Sequence, residues 1–521
     1  MNLGTYLNRS KRYWPDTEAL VAGGRRWTYR QLDDDANRLA SALGELGVEA
    51  GTSVATLASN RGELVVTEFA LAKCGAVRVP LSVRLAPTEI AHVLSDAQVR
   101  VILVDPEQLA TARDAISAAG VDCQVVVFEP VPEARSGILA YEDLLASGST
   151  ETVEVDVPVD HPAVLNFTSG STGTLKAAVQ TVGNRLANLR KMTMNPQGSM
   201  SAGSIYLVTG PITHASGMGV LACVFRGVKV VVLPKFSAEE FLATVERERV
   251  QLTFMVPVML NRILSFPERE KYDISSLKGI TLGGSAISPA RLREAYEAFG
   301  PIVNQGYGQG ETTSAVLFLT NDDVRRGVEE DPQILQSCGR AVYDTEVRVI
   351  DEDGQQLPPG EVGELVARGA DCVTEYFRSP ESTEQTFRNG WVHTGDLGYM
   401  REDGYFFIVD RKKDMIISGG FNVYCTEVES VLYEHPDVFE AIVIGAPDER
   451  WGETVKAFVA LRPGASLTQE QLQEFCARSL AKYKVPRLVQ FVDELPKNRN
   501  GKPDRRALRE GEWAASDRKV G

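Results

Sequence analysis

Between Leu165 and Lys176 the chain sets Thr168, Ser169, Ser171 and Thr172 around Gly170 and Gly173, then ends the run on a lysine. Glycines let a backbone approach a ligand closely and turn its N–H groups toward phosphate oxygens. The hydroxyls add donors, and Lys176 adds a mobile positive charge. Holding a polyphosphate is the chemistry such a loop would do. It is not the P-loop pattern, because Lys176 stands three residues after its glycine and is followed by Ala177. Taken alone, the run reads as well as a solvated linker.

Three further places carry groups of use to the same kind of ligand. Tyr307 lies between Gly306 and Gly308 and is followed by Glu311. An aromatic face can cover a purine, and a carboxylate near phosphates can hold Mg²⁺. Asp396, within the run His393 to Gly398, suits the paired hydroxyls of a ribose. His214 stands beside Ala215, Ser216 and Gly217. Each also has a plain reading: a half-buried tyrosine, a turn carboxylate, a structural histidine.

These loops need a scaffold that brings strand ends together. Thr28 to Asp33 opens a helical pattern that continues through Leu39, Ala42 and Leu43. Short apolar runs follow at 54–57, 77–81 and 101–104, and again at 229–233 and 252–256, with helical stretches between them. That alternation predicts an α/β fold built on doubly wound parallel sheets, two of them stacked. Around 340–410 the pattern turns β-rich and punctuated by turns, as in Glu346 to Asp351 and Gly363 to Ala367, which predicts a β-barrel-like patch. The charged break Asp410-Arg411-Lys412-Lys413-Asp414 divides the chain into a large domain, 1–409, and a small mobile α+β domain, 410–521. The run Pro496 to Lys502 reads as an exposed loop.

Bulk properties narrow the function further. With 521 residues the chain is too long for one core. Its 55 basic and 70 acidic residues leave a net charge of −15, which excludes a nucleic-acid binder and disfavours an anionic membrane surface. The seven cysteines are scattered with no CxxC pair, as in reduced cytosolic proteins, and the five histidines form no metal-ligand cluster. The N-terminus lacks the pattern of a signal peptide, and no apolar run reaches membrane-spanning length. A cytoplasmic protein is expected.

The ordered set of motifs resembles the adenylate-forming ligase superfamily, which includes acyl-CoA synthetases, nonribosomal peptide adenylation domains and firefly-type luciferases. The resemblance spans nearly the whole chain: Thr168 to Lys176, His214, Gly283 to Ala286, Tyr307 to Glu311, His393 to Gly398, Asp410 to Glu429, His435 to Val438, Gly445 to Glu449, and Gly501-Lys502. It implies an AMP-forming acyl-CoA synthetase, which activates a carboxylic acid with ATP as an acyl-AMP and passes the acyl group to the thiol of coenzyme A.

Residue by residue, the resemblance implies that Thr168, Ser169, Ser171, Thr172 and Lys176 cradle the β- and γ-phosphates, and that Glu311 holds Mg²⁺. Tyr307 would stack on adenine, with Gln305 and the backbone of Gly284, Ser285 and Ala286 at its edge. Asp396 and Arg411 would fix the ribose. Lys502 would bridge the carboxylate and the α-phosphate, and His214 would gate or line the acyl site. The small domain would turn about Lys413 between half-reactions. That movement withdraws Lys502 and brings in the turn Ser418 to Asn422, where Gly419 and Gly420 leave room for a pantetheine arm. Since no carrier domain precedes Gly521, free coenzyme A is the simpler acceptor than a carrier protein.

The chain departs from the family pattern near the phosphates. Leu175 and Ala177 flank the loop lysine, Val182 follows Thr181, and Gly310 replaces the threonine usual before the metal-binding glutamate. A lost charged hydrogen bond of this type is worth ~1.5–3 kcal/mol, enough to slow adenylation by one to two decades unless Thr312 or Thr313 offsets it. Cys425 stands where proline is common and is expected to pack as a small residue. Three readings follow: a complete acyl-CoA ligase; a member weak in adenylation that works on acyl-AMP supplied by a partner enzyme; and a catalytically silent AMP-binding regulatory protein. Acyl-pocket candidates are His214, Met218, Val220, Gly284 and 308–314, whose small residues leave room for a bulky aryl or polycyclic acid.

Overall fold

The short apolar runs are buried parallel strands, and the stretches between them are helices. The structure, a computed structural model, describes residues 2–131, 137–169, 175–194, 200–448, 450–497 and 504–514, the side chain of Ser169 aside. The first long helix, Tyr29–Glu45, starts where the pattern placed it. Thr28 Oγ1 accepts from Gln31 N–H at 3.2 Å, and Gln31 Oε1 accepts from Thr28 N–H at 2.9 Å, a reciprocal cap.

Among the described residues a seven-stranded and a nine-stranded sheet make up most of the N-terminal part. The first is parallel except for its last pair, Pro162–Ser169 with Leu175–Thr181. The second is parallel in its middle and antiparallel at both ends. The largest apolar cluster takes Val54 and Val101 from one sheet and Leu20 and Val230 from the other, with Leu39, Phe69 and Leu186 of the intervening helices. The two sheets therefore clasp a shared helical layer, which explains why those helices bury apolar residues all round.

The β-rich patch is a five-stranded antiparallel sheet that includes Thr345–Ile350, Gly363–Gly369, Trp391–Met400 and Phe406–Arg411. The chain then changes sheets between Arg411 and Ile416. Its last sheet is built on the long hairpin Val438–Asp448 with Gly452–Leu461, covered by helix Cys425–Glu434.

In chain order, the elements that carry the site are α1 (Gly62–Cys74), β1 (Val77–Leu81), β2 (Pro162–Ser169), β3 (Leu175–Thr181), α2 (Val182–Met194), β4 (Gly279–Gly283), β5 (Val303–Gly308), β6 (Trp391–Met400), β7 (Phe406–Arg411), α3 (Cys425–Glu434) and α4 (Arg505–Ala514). Among the described residues no helix is long and apolar enough to cross a membrane, and all seven cysteines are free thiols. Cys425 is fully buried; its Sγ donates to Asp414 O at 3.1 Å, and burial raises its pKa, so it packs as a small residue.

Candidate active site

Strand ends from both sheets open on one cleft of about 3430 Å³, closed on its far side by α3 and α4. At one end of it, β2 and the turn after β5 meet. Thr168 Oγ1 donates to Glu311 Oε1 at 3.2 Å, and Tyr376 OH donates to the same oxygen at 2.8 Å. Burial, then the Glu311 charge, raises the Tyr376 pKa, so its hydroxyl stays a donor at neutral pH. Two donors on Oε1 orient the carboxylate and leave Oε2 for another partner. A single carboxylate oxygen with space beside it suits Mg²⁺, which keeps waters and substrate phosphates as its other ligands. No cluster of three or more metal-ligating side chains exists among the described residues.

Lys176 stands directly opposite Thr168 in the β2–β3 ladder, though its side chain is not among those lining the cleft. Ser171 and Thr172 lie outside the described residues, as does Lys502; Ser169 is described only in its backbone.

The departure at Gly310 has a local cause. A Cβ on Gly310 would stand 2.8 Å from Thr168 Cγ2 and 2.9 Å from Asn166 Nδ2, so a threonine has no room there without displacing both. The two neighbouring hydroxyls differ in what they can offer. Thr312 turns into its own loop, donating to Ser314 O at 2.7 Å and accepting from Gln309 N–H at 2.9 Å, and does not line the cleft. Thr313 does line it, with its hydroxyl buried and unpartnered among the described residues. Its backbone sits at φ +57°, ψ −37°, a strained conformation for a β-branched residue.

A second cluster lies where β5 meets β6 and β7. Asp396, 3% exposed, receives Tyr307 OH and Gln309 Nε2 (2.8 Å) on Oδ2, while Arg411 Nε lies 3.2 Å from Oδ1. Burial and the Asp396 charge hold the Tyr307 pKa well above its usual range. Three donors on one carboxylate keep its orientation and leave lone-pair capacity for a ligand hydroxyl. Gly284, Ser285 and Ala286, just beyond β4, line the same wall, and Gly284 takes φ +81°. Gln305 is buried there with Oε1 unpartnered among the described residues, an acceptor that fits the amino edge of an adenine.

His214 lines the cleft with Nδ1 2.9 Å from Thr213 Oγ1, and Met218 lines it too. Val220, expected in the acyl pocket, is fully buried in the core between the two sheets and does not line the cleft; its helix turns it inward.

On the far side, Arg505 of α4 binds Glu429 Oε1 at 2.6 Å and Asp414 Oδ2 at 3.3 Å, pinning the last helix to α3 and to the charged break. Lys413 lines the cleft, its carbonyl accepting from Arg509 Nη1 at 2.8 Å. The Ser418–Phe421 turn points elsewhere: Phe421 is 57% exposed and none of 416–422 lines the cleft. Gly419 is needed because a Cβ would fall 2.4 Å from the Trp451 ring, and Gly420 because its φ is +86°.

The sequence alone does not single out Tyr376 or Asn166. Gln309 lies within the run Tyr307 to Glu311 and within the acyl-pocket candidates 308–314, but the sequence gives no sign that its carboxamide meets Asp396. Tyr376 has no local signal, since only folding carries it across 65 residues to Glu311.

The family profile described as AMP-binding enzyme matches residues 7–377, and that of the AMP-binding enzyme C-terminal domain matches 427–502. The chain is 35% identical to the medium/long-chain-fatty-acid–CoA ligase FadD8 of Mycobacterium tuberculosis, covering 96% of this chain and 88% of that protein. It is 36% identical to the feruloyl-CoA synthase of an Amycolatopsis species, covering 96% and 97%. Among solved structures, the anthranilate CoA ligase AuaEII in complex with anthranoyl-AMP superposes with a TM-score of 0.90 at 28% identity, covering 99% and 98%.

Proposed function

From the premise that this chain belongs to the AMP-binding enzyme family, as an AMP-forming acid–CoA ligase, we propose that it activates a bulky carboxylic acid with ATP and Mg²⁺ and transfers the acyl group to free coenzyme A. The observation that carries this reading is the convergence of Glu311, held by Thr168 and Tyr376, with Asp396, held by Tyr307, Gln309 and Arg411, in one cleft.

In this reading the acid's oxygen attacks the α-phosphorus, the bond to the β-phosphate breaks, and pyrophosphate leaves. A thiol sulfur then attacks the acyl carbon, AMP leaves and the thiol proton is lost. Thr168, with Ser169, Ser171, Thr172 and Lys176, holds the departing phosphates. Asp396 and Arg411 hold the ribose, and Tyr307, Gln305 and the 284–286 backbone hold the base. Glu311 is the ligand for Mg²⁺, which supplies charge neutralisation on the phosphate oxygens. Lys502, delivered by the segment that α4 terminates, neutralises the charge between carboxylate and phosphate. We take Lys413 as the hinge between 1–409 and 410–521, since the chain changes sheets between Arg411 and Ile416. Its turning exchanges the α4 side of the small domain for the Gly419-Gly420 turn. The relatives' named acids, a fatty acid and ferulate, support a roomy acyl site.

The test is thioester formation in two arms, one with free acid and Mg²⁺-ATP, the other with the matching synthetic acyl-AMP. Product in both, with the first arm lost in Lys502→Ala, is the expected result. Product from acyl-AMP alone would support the second reading, an enzyme weak in adenylation that a partner supplies. That reading is favoured by Gly310, whose missing hydroxyl finds its space filled by Asn166 and Thr168. AMP binding with no thioester from either arm would replace both with a silent, regulatory role.

A further inference from the structure

The floor of the cleft holds more positive charge than its neighbours balance. In the β1–β2–β3 ladders Arg78 is opposite Val164, and Val164 opposite Gln180, so these three side chains share one face of the seven-stranded sheet. Helices α1 and α2 pack on β1 and on β2 and β3 there. From α1, Glu68 meets two arginines: its Oε2 accepts from Arg78 Nη1, and its Oε1 from Arg185 Nη2 of α2, both at 3.2 Å. Among the described residues no other carboxylate lies within 4 Å of either guanidinium. One negative charge thus faces two positive ones, and the Arg185 side chain is only 1% exposed. Burial, and the nearby Arg78 charge, press the Arg185 pKa down.

Two donors at the same place are unspent. Arg78 Nε and Asn188 Nδ2 are buried without a hydrogen-bond partner among the described residues. Asn188 is three residues after Arg185, hence on the same face of α2, and is 1% exposed. Arg78, Val164, Gln180 and Asn188 line the cleft, as does Met218, whose Sδ is 3.2 Å from Arg185 Nη1. Behind Arg78 and Arg185 lies a second void of about 30 Å³, with room for a water or two and not for a carboxylate, so a balancing anion has to come from the cleft.

The position within the cleft gives the geometry. Val164, Asn166 and Thr168 alternate onto one face of β2, so Val164 is roughly 13 Å along the strand from Thr168 at the phosphate end. We propose that the acid this enzyme activates carries a second carboxylate, at its far end, which docks against Arg78 and Asn188 beside Arg185. An uncompensated buried guanidinium is costly, and a substrate anion would relieve that cost only when bound. This assignment rests on the ligase reading of the cleft.

The experiment compares dodecanedioate with dodecanoate on the full-length enzyme, by thioester formation with Mg²⁺-ATP and coenzyme A and by calorimetric binding without ATP. A preference for the diacid of about tenfold or more in kcat/KM is expected, the worth of one charged hydrogen bond. In Arg78→Met the diacid-to-monoacid ratio should fall toward one. Asn188→Leu, which removes an unpaired polar group and so keeps the fold, should lower the same ratio. Equal use of the two acids by the unaltered enzyme, or a ratio unmoved in both variants, would overturn the subsite while leaving the ligase reading intact. Failure to form thioester with any acid would overturn the ligase reading. The binding arm then decides the subsite by itself, and equal affinity for diacid and monoacid would overturn it.

Discussion

Arg411 is the ladder partner of Asp396, and its Nε lies 3.2 Å from Asp396 Oδ1. Arg411 is also the last residue of β7, after which the chain changes sheets. The carboxylate assigned to the ribose is therefore tied to the residue at which the small domain would begin to turn. On the proposed reading, nucleotide binding and the position of that domain would share this ion pair.

Replacing Asp396 with alanine removes the carboxylate that Tyr307, Gln309 and Arg411 share, leaving Gln309 Nε2 with Thr394 O alone. Loss of a charged hydrogen bond of ~1.5–3 kcal/mol predicts a fall of roughly 10- to 100-fold in kcat/KM for ATP. Pyrophosphate release measured against ATP concentration checks it; an unchanged value would remove Asp396 from the nucleotide site.

Gly310→Thr, which restores the residue usual in the family, should harm the enzyme. The new Cβ would press on Thr168 Cγ2 and Asn166 Nδ2, an overpacking cost of about 1–3 kcal/mol that also shifts Thr168 away from Glu311. Thermal midpoint and acid-dependent ATP–pyrophosphate exchange should both drop, and the drop should be smaller in an Asn166→Ala background. Faster exchange from the single substitution would show that the hydroxyl matters more than the packing.

Thr313→Gly should raise stability by about 1–3 kcal/mol, because φ +57° is strained for threonine and open to glycine. Adenylation should fall as the unpaired hydroxyl leaves the cleft. Denaturant unfolding and pyrophosphate release read the two effects separately; a variant that is stabilised and fully active would reduce Thr313 to a structural accident.

Asp410 gives stability a pH signature. Burial raises its pKa to about 6, against the pull of Arg505 and of the N–H groups of Arg411 and Cys425. The folded protein therefore holds a proton that the unfolded chain has released between about pH 4 and 6. Stability from this group is fully present below that window and is lost as pH rises through it, by about 1–3 kcal/mol. Relative to Asp410→Asn, the unaltered protein should lose stability from pH 4 to 7; parallel curves would show that Asp410 stays ionised.

Much of the site was legible because its groups come in short, ordered runs. Thr168, Glu311, Tyr307 and Asp396 were picked out by residue type and by neighbouring glycines, and all four line one cleft. The alternation of apolar runs likewise predicted the stacked parallel sheets, because the period of burial is written locally in each strand and helix. Val220 was misplaced for a related reason: adjacency to His214 in the chain says nothing about which way a helix turns its side chain.

Residue types, local periodicity and motif order were determined by the sequence itself, and with them the fold class and the adenylating chemistry expected of the chain. Which groups touch was decided by tertiary structure alone. Thr168 meets Glu311 across 143 residues, and Tyr376 meets it across 65. Arg185 reads in the chain as one more cation on a helix; only the packing of α1 over the sheet buries it beside Arg78 with a single carboxylate between them. Charge balance and hydrogen-bond satisfaction are properties of a closed volume, and a volume exists only once distant segments have packed around it.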